Sequence, residues 1–500
     1  MTPDSNAPSD ATAIAGRDSA AKSAPRRALS LFDAASIIVG IIIGAGIYET
    51  TPAVAVHAGS VVGLVAVWIA GGLLATIGAL CYADLACAYP EDGGDYVYLK
   101  RAFGRRLAFV FAWCELWIVR PGAIGAMAFI FARYAHQLYP LGEGARAYGG
   151  YAAGSIALLT AVNMLGVRQG KWTQNVLTSA KVLGLAALFL VAWAGPGVAD
   201  KAAEVGALAG RPAAPNVPAT DYRVALILVL FTYGGWSEVA YVAAEVRDPT
   251  RNILKALLWG IGLVGGIYIA ANLAFVHALG LDGLRSSHAV AFDVLTGRFG
   301  TAGGRAISAL ICLSTLGAIN GQIFTGARIY YALGSDHPLF RRLATWNDRA
   351  GAPLWSLVVQ AIATLVPVLV IALSQQEAAG ADPAAACREA FERLVVFNAP
   401  VYWFFFLLVG LSLFVLTHRD RDKPRAFRVP LYPWVPLAFV AVSGWMLWSS
   451  CAYSYYQYSH QRTNDGVWSL AIMAAGVAVS LWGREAPSAG HASPPGNPAR

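Results

Sequence analysis

Residues 37–52 read IIVGIIIGAGIYETTP, an apolar run that is interrupted by Gly40, Gly44 and Gly46. A run of this length and composition predicts a helix within a lipid bilayer, and glycines in its middle weaken that helix. The spacing of Gly40 and Gly44 also fits the GxxxG pattern of close helix packing. Taken alone, the run therefore predicts either a packing contact or an unwound helix.

A second glycine-interrupted run favours the unwound helix. It reads LFTYGGWSEVAY at residues 230–241, with Gly234 and Gly235 in its middle. The two runs lie in the first and the sixth apolar segments of the chain. Glycine-interrupted segments at matching positions of two halves are typical of an inverted five-plus-five repeat. We therefore expect helices 1 and 6 to be broken.

The composition excludes an ordinary soluble protein. Of the 500 residues, 57% are hydrophobic and 13% are charged, whereas about 25% of a soluble domain is charged. Apolar segments of about 20 residues, the length that spans a bilayer, recur along the chain. We predict an all-α polytopic membrane protein with about twelve transmembrane helices. They are predicted at residues 30–56, 60–89, 107–135, 147–166, 172–194, 222–245, 255–279, 305–333, 354–374, 392–417, 432–455 and 464–482.

The charges of the loops predict the orientation. Lysine and arginine cluster at 100–106 and 419–428, in loops on the same side as the N-terminus. Positive residues favour the cytoplasmic side, so both termini are predicted to be cytoplasmic. The predicted organisation is a disordered tail at 1–29, a ten-helix core at 30–417 with repeats at about 30–194 and 222–417, helices 11 and 12 at 418–482, and a second tail at 483–500.

Unwinding would free backbone groups at both breaks. The second half of helix 1 would begin with unpaired amides, where the helix dipole favours an anion such as a carboxylate. The first half of helix 6 would end with unpaired carbonyls, which suit an ammonium group. An anion site beside a cation site predicts an α-amino acid as the substrate. The amides are those of Gly44, Ala45, Gly46 and Ile47, and the carbonyls are those of Phe231, Thr232 and Tyr233.

Several motifs, in order, carry a resemblance to one family. They are IIIGAGIYETTP at 41–52, PEDGGDYVYLKRAFG at 90–104, WCELWIVRPG at 113–122, FTYGGWSEVAYVAAEVRDPTRNI at 231–253 and KPRAFRVPLYP at 423–433. With these motifs the chain resembles the amino acid, polyamine and organocation superfamily, and most closely the bacterial relatives of the L-type amino acid transporters. The resemblance covers about residues 30–440.

The resemblance implies a twelve-helix, inverted-repeat transporter in a bacterial plasma membrane, with an amino acid held between helices 1 and 6 and no cofactor. It also implies that Phe231 is the gating aromatic residue. The substrate-binding residues that it implies are Ile42, Gly44, Ala45 and Gly46 in helix 1, and Phe231, Tyr233 and Gly234 in helix 6.

The chain departs from the family pattern at three positions. The usual first motif reads GSGIF, but here Ala45 replaces the serine and Tyr48 replaces the phenylalanine. The carboxylate site thereby loses one hydroxyl, and another is added about a turn away. Glu238 stands where many relatives carry a neutral or amide residue, so a neutral apolar substrate does not follow from the resemblance.

Lys181 lies about ten residues from either end of the predicted helix 5. A lysine at that depth is costly unless it is paired, hydrogen-bonded or neutral. The resemblance implies that Lys181 takes the place of a sodium ion that bridges helices 1, 5 and 8, with Ser314 and Thr315 as neighbours, and hence that transport is independent of sodium. The alternative is that Lys181 extends along a short helix to one interface.

The sequence also suggests roles for the other charged residues of the predicted spans. Glu238 follows the helix 6 break by about one turn and is expected to act as a selectivity or proton site, or else as a structural carboxylate. Glu115 and Arg120 are five residues apart, about 140° around an α-helix, so they are not expected to form an i,i+4 pair. Arg328 and Glu245 are expected to snorkel or to cap helix ends.

Other classes of protein fit the sequence less well. The eight histidines lie in loops, tails and span ends, so neither an enzyme nor a metal site is predicted. No filter-like loop or acidic ring indicates a channel. Lysine and arginine are spread over short loops, which does not favour nucleic acid as a partner. A permease for polyamines or other organic amines is the alternative, because Ala45 weakens the carboxylate site.

The cysteines leave one question open. None forms a CxxC pair, but Cys387 and Cys451 would both lie on the outer face, where a disulfide could join them. The resemblance bears on partners too, since relatives that bind an ancillary glycoprotein do so through a cysteine between helices 3 and 4. Residues 136–146 contain no cysteine. A covalently attached subunit is therefore not expected.

Overall fold

The computed structural model describes residues 27–142, 145–194, 220–287, 289–374, 383–422, 425–460 and 464–482. The rest of the predicted tails, at 1–26 and 483–500, lies outside this part of the chain. Within it the fold is helical, with two isolated backbone bridges and no strand. The predicted all-α class is confirmed.

Each of the twelve predicted segments contains a helix or a pair of shorter ones. In chain order the helices are α1 (Leu31–Ile42), α2 (Gly46–Ala58), α3 (Val61–Ala88), α4 (Asp95–Phe103), α5 (Arg105–Cys114), α6 (Arg120–Leu138), α7 (Ala145–Met164), α8 (Val167–Trp193), α9 (Tyr222–Thr232), α10 (Pro249–Ser286), α11 (Val290–Asp336), α12 (Leu354–Ser374), α13 (Pro383–Arg419), α14 (Trp434–Ser459) and α15 (Asp465–Trp482). The other helical elements of the described chain are a π-helical turn at Glu115–Val119 and 3₁₀ segments at Trp236–Glu245 and Pro338–Ala344.

Most of these helices have the length and composition of membrane spans. Nine segments of the described chain are long and apolar enough to cross a membrane, or ten if α1 and α2 form one broken span. Two predicted spans fall outside this set, because α7 is less apolar and α15 is shorter. The polytopic membrane class is confirmed, while the count of twelve spans and the inverted repeat stay predictions.

Both glycine-rich segments interrupt their helices. α1 and α2 are bent by 49° at the residues between Ile42 and Gly46. The sixth predicted segment consists of α9, three non-helical residues and the 3₁₀ segment Trp236–Glu245. α2 packs along α9, and α1 packs against the 3₁₀ segment and against α8, α10 and α11. The two breaks therefore lie side by side in the centre of the bundle.

The start of α1 is fixed by local hydrogen bonds. The Ser30 hydroxyl accepts a bond from the Asp33 amide at 3.2 Å, and Asp33 accepts one from the Ser30 amide at 2.8 Å. This reciprocal pair is the capping box that begins many helices. Asp33 also accepts bonds from Lys171 at 3.1 Å and Asn175 at 2.6 Å, both on α8. α1 is thereby tied to α8 before it reaches the break.

The last two helices lie at the edge of the bundle. α14 packs against α13 and α3, and α15 packs against α13 and α5. Asp84 of α3 holds the connection that leads into α14, since it accepts bonds from Arg425 at 2.6 Å and from the Val429 amide at 2.9 Å. Cys387 and Cys451 carry free thiols, so the disulfide that the sequence left open is not formed.

The ion pair between Asp84 and Arg425 generates the first prediction. Both side chains are only 3% exposed, and breaking a buried ion pair from one side typically costs about 3–5 kcal/mol. We expect Asp84→Ala to lower the thermal unfolding midpoint of the detergent-solubilised protein. Asp422→Ala, at an exposed residue of the same connection, is the control and should leave the midpoint unchanged. Equal midpoints for the two variants would contradict the assignment.

Candidate functional site at the two helix breaks

The first break leaves backbone amides without backbone partners. α2 begins at Gly46, and within the described chain the amides of Ala45, Gly46 and Ile47 donate to no backbone carbonyl. The Gly44 amide, which was expected to be free as well, donates to the Ile42 carbonyl at 2.8 Å. Three of the four predicted amides are therefore available at the positive end of the α2 dipole.

The second break follows the end of α9. Gly235 has φ +106°, a left-handed conformation that favours glycine, and a Cβ there would come within 2.5 Å of Ile41. The Phe231 carbonyl accepts a bond from the Gly234 amide at 3.1 Å, and the Thr232 carbonyl accepts one from the Tyr268 hydroxyl at 3.3 Å. Since a carbonyl can accept two hydrogen bonds, both can still contact an ammonium group.

Two side-chain bridges hold the breaks together. The hydroxyls of Thr50 on α2 and Thr232 on α9 are 2.9 Å apart and hydrogen-bonded. The Tyr268 hydroxyl shares its one hydrogen between the Thr232 carbonyl and the Ile42 carbonyl, which is nearer at 2.9 Å, so it contacts the end of α1 and the end of α9. Close packing adds to these bridges, because a Cβ on Gly46 would lie 2.9 Å from a methyl group of Thr232.

A cavity of about 180 Å³ opens beside the two breaks. This volume is far more than the ~10–15 Å³ that one buried water needs, so the cavity can hold a small organic molecule. Most of the residues predicted to bind the substrate line its wall, while Ala45 and Ile47 do not. The predicted residues in the wall are Ile42, Gly44, Gly46, Phe231, Thr232, Tyr233, Gly234 and Glu238.

Aromatic contacts surround two of the predicted residues, and the rest of the wall, which the sequence did not predict, is mostly apolar. Phe231 faces Phe391 edge-on, with ring centroids 6.3 Å apart. Tyr233 packs its ring against Trp68 and Tyr268. Residues of α3, α6, the 3₁₀ segment, α11, α13 and α14 complete the wall. Among them are Trp236, Gln322, Asn398, Tyr402, Phe406 and Phe439.

A buried charge cluster borders the cavity. Arg120 donates from Nε to Glu115 and from Nη1 to Glu238, each at 2.8 Å. Glu238 also accepts a bond from the Thr325 hydroxyl. Glu115 and Arg120 were not expected to form an i,i+4 pair, and they pair instead at a separation of five residues, because Glu115–Val119 forms a π-helical turn. A π turn places residues i and i+5 on the same face, which an α-helix does not.

Lys181 binds the broken end of α1. Its ammonium group donates to the carbonyls of Gly40 at 2.7 Å, Ile43 at 2.8 Å and Ser314 at 2.8 Å. The Ser314 hydroxyl shares its one hydrogen between the Ile43 and Gly44 carbonyls, at 2.9 and 3.0 Å. Thr315 instead bonds carbonyls of its own helix. The structure thus brings Lys181 and Ser314 together at the break, and Thr315 does not contact Lys181.

A second buried arginine also differs from the expectation. Arg328 of α11 donates from Nε to Glu245 at 2.7 Å, and both side chains are 1% exposed. They were expected to snorkel or to cap helix ends, and that expectation is wrong because they neutralise each other inside the bundle. Neither lines the cavity. Within the described residues, no cluster of His, Cys, Asp and Glu could hold a metal ion.

Comparisons with known proteins agree with this geometry. The family whose sequence pattern matches residues 29–482 is described as amino acid permease. The chain is 30% identical to the human large neutral amino acids transporter small subunit 2, over 92% of this chain and 80% of that protein. It is 28% identical to the mouse b(0,+)-type amino acid transporter 1 (84% and 81%) and 24% identical to the serine/threonine exchanger SteT of Bacillus subtilis (85% and 91%).

Long apolar helices around a cavity at two broken helices, together with relatives that are transporters, define a multi-pass membrane transporter. The chain belongs to the amino acid permease family.

The contact between Gly46 and Thr232 generates a prediction. A leucine at position 46 would collide with Thr232 and enter the cavity. We expect Gly46→Leu to lower amino acid uptake by about tenfold or more, because the substrate position is blocked. The protein should still elute as a single species, since the clash is with one side chain. Uptake into proteoliposomes measures the effect.

Gly150→Leu is the matched control for that experiment. Gly150 lies exposed on α7, and a Cβ there meets nothing within 4 Å. Its uptake should equal that of the unmodified protein. Normal uptake by Gly46→Leu would show that Gly46 does not border the substrate position.

Proposed function

We propose that the protein is a secondary transporter, a permease or exchanger, that moves L-amino acids across the membrane by alternating access. The observation that carries the proposal is that the amide end of α2 and the carbonyl end of α9 meet at one cavity. An α-amino acid carries a carboxylate and an ammonium group on one carbon. This pair of charges matches an anion site and a cation site that border the same cavity.

In this proposal the breaks bind the backbone part of the substrate. Its carboxylate accepts hydrogen bonds from the amide of Gly46, which lines the cavity, and from the amides of the adjacent residues Ala45 and Ile47, which do not line it. Its ammonium group donates to the carbonyls at Phe231, Thr232 and Tyr233. The side chain occupies the rest of the cavity, and Phe231, whose ring lies in the wall, is the gating residue.

The relatives named above support this substrate class. One is an exchanger for serine and threonine, and another transports large neutral amino acids. From the charges of the loops we also propose that both termini lie in the cytoplasm of a bacterial cell. Because residues 136–146 contain no cysteine, we propose that no ancillary subunit is covalently attached. The ten-helix repeat core at 30–417, followed by helices 11 and 12, is part of the same proposal.

An uptake experiment tests the proposed substrate class. Purified protein in liposomes should take up labelled leucine or serine, and unlabelled amino acid inside should accelerate the uptake if the protein is an exchanger. Isoamylamine and ethanolamine, which lack the carboxylates of leucine and serine, should compete poorly. Transport of these amines without transport of amino acids would contradict the carboxylate site.

Transport of the amines without transport of amino acids would favour the alternative function, a permease for polyamines or other organic amines. Two observations make it worth testing. Ala45 offers no hydroxyl to a carboxylate, and Glu238 places a carboxylate in the cavity wall. We propose Glu238 as a selectivity or proton site in either case.

We further propose that transport does not require sodium, because Lys181 supplies the cation at the α1 break. Its ammonium group contacts three carbonyls, the ligand type that a sodium ion would use. A second cation at this position would be repelled.

This proposal gives a prediction for Lys181. We expect equal uptake in sodium and choline buffers. Lys181→Ala should lower uptake by about tenfold or more, because three buried carbonyls lose a charged donor and the α1 break is no longer fixed. Lys255→Ala, on α10 away from the breaks, is the control and should transport normally. Uptake that requires sodium, or a fully active Lys181→Ala protein, would contradict the role of Lys181.

A further inference from the structure

The charge of the cavity wall depends on two side chains. Among the residues that line the cavity, Arg120 and Glu238 are the charged ones. They form an ion pair at 2.8 Å, in which the Arg120 side chain is 3% exposed and the Glu238 side chain 12% exposed. Where the wall meets the substrate it therefore carries one positive and one negative charge.

Behind the wall the balance is different. Glu115 does not line the cavity, is buried, and contacts Arg120 at 2.8 Å. One guanidinium group therefore lies between two carboxylates. The three groups together carry a net charge of minus one. Arg120 lies between the two carboxylates and reduces the repulsion between them.

The Arg120 guanidinium is held from several sides. Besides the two carboxylates, Nη1 contacts the Gln322 carbonyl and the Thr325 hydroxyl, each at 3.3 Å. The guanidinium also lies over the Tyr241 ring, 5.1 Å from its centroid. These contacts make a complete binding site for a guanidinium group at the edge of the cavity, and the protein's own arginine occupies it.

We propose that Arg120 is a specificity-determining residue that excludes amino acids with a cationic side chain. This inference rests on the proposed function. Arg120 occupies the place beside Glu115 and Glu238 where a cationic side chain would bind, and its ion pairs leave neither carboxylate free to bind such a side chain. Glu238 is therefore not a free cation site, since its charge is already matched by Arg120.

Removing the arginine side chain should reverse this selectivity. Arg120→Ala leaves two carboxylates beside newly opened space at the edge of the cavity. The side chain of a substrate arginine carries the same guanidinium group and can occupy that space. Arginine uptake would then rise because two unpaired carboxylates and an empty space are available to its side chain. A merely structural role for Arg120 does not predict this rise.

Arg328 offers a matched control. It is also a buried arginine of the bundle that forms an ion pair with a buried glutamate, Glu245, but neither residue lines the cavity. Arg328→Ala thus creates the same kind of defect, an unpaired buried carboxylate, at a place that the substrate does not reach. Its effect on stability should be similar, and its effect on selectivity should be absent.

The experiment measures the ratio of arginine uptake to leucine uptake in proteoliposomes. Wild type is expected to prefer leucine, and the ratio should rise by about tenfold or more in Arg120→Ala. The ratio in Arg328→Ala should equal that of wild type. If Arg120→Ala cannot be purified as a single species, Arg120→Gln, which keeps hydrogen-bond donors but lacks the charge, should show a rise in the same direction.

The outcomes separate this inference from the proposed function. A wild-type protein that transports neither leucine nor arginine would overturn the proposed function. If wild type transports leucine but the ratio does not rise in either Arg120 variant, or rises equally in Arg328→Ala, only the role of Arg120 is overturned. The same holds if wild type already prefers arginine.

Discussion

The structure depends on how the interrupted helix α1–α2 satisfies its backbone. A helix that stops inside an apolar bundle exposes carbonyls and amides that lipid cannot satisfy. Lys181, Ser314 and Tyr268 supply donors to the carbonyls at the end of α1. Within the described residues, no backbone carbonyl accepts a bond from the amides at the start of α2. Side chains therefore satisfy one side of the break, while the other side keeps the free amides that the proposed binding of a carboxylate requires.

The same division explains the placement of charge. Lys181 lies on the side of α1 that faces α8 and α11, away from the cavity wall, and it stabilises the broken backbone. Arg120 lies at the edge of the cavity, where it pairs with Glu238 in the wall. Two buried cations of the same bundle therefore contribute differently, one to the shape of the site and one to its charge.

The sequence predicted the parts of the site that depend on local patterns and missed the parts that depend on packing. Glycines in two apolar runs were enough to place both breaks. The sequence placed Ser314 and Thr315 near Lys181, but it did not show that Lys181 would bond the backbone carbonyl of Ser314, or that the Thr315 hydroxyl would bond its own helix. The Glu115–Arg120 pair depends on a π turn, which no pattern in the sequence indicates. Tyr402 and Phe406 reach the cavity only through the packing of α13.

In the proposed mechanism, the cavity at the two breaks opens alternately to the two sides of the membrane. A single cysteine at Ala126, which lines the cavity, in a background without the six native cysteines tests it most directly. Labelling is measured with a membrane-impermeant thiol reagent in right-side-out and inside-out vesicles. Alternating access predicts that the reagent labels the cysteine from both sides, and that a transported amino acid protects the cysteine from labelling on both sides. Labelling from one side only, whether or not amino acid is present, would contradict it.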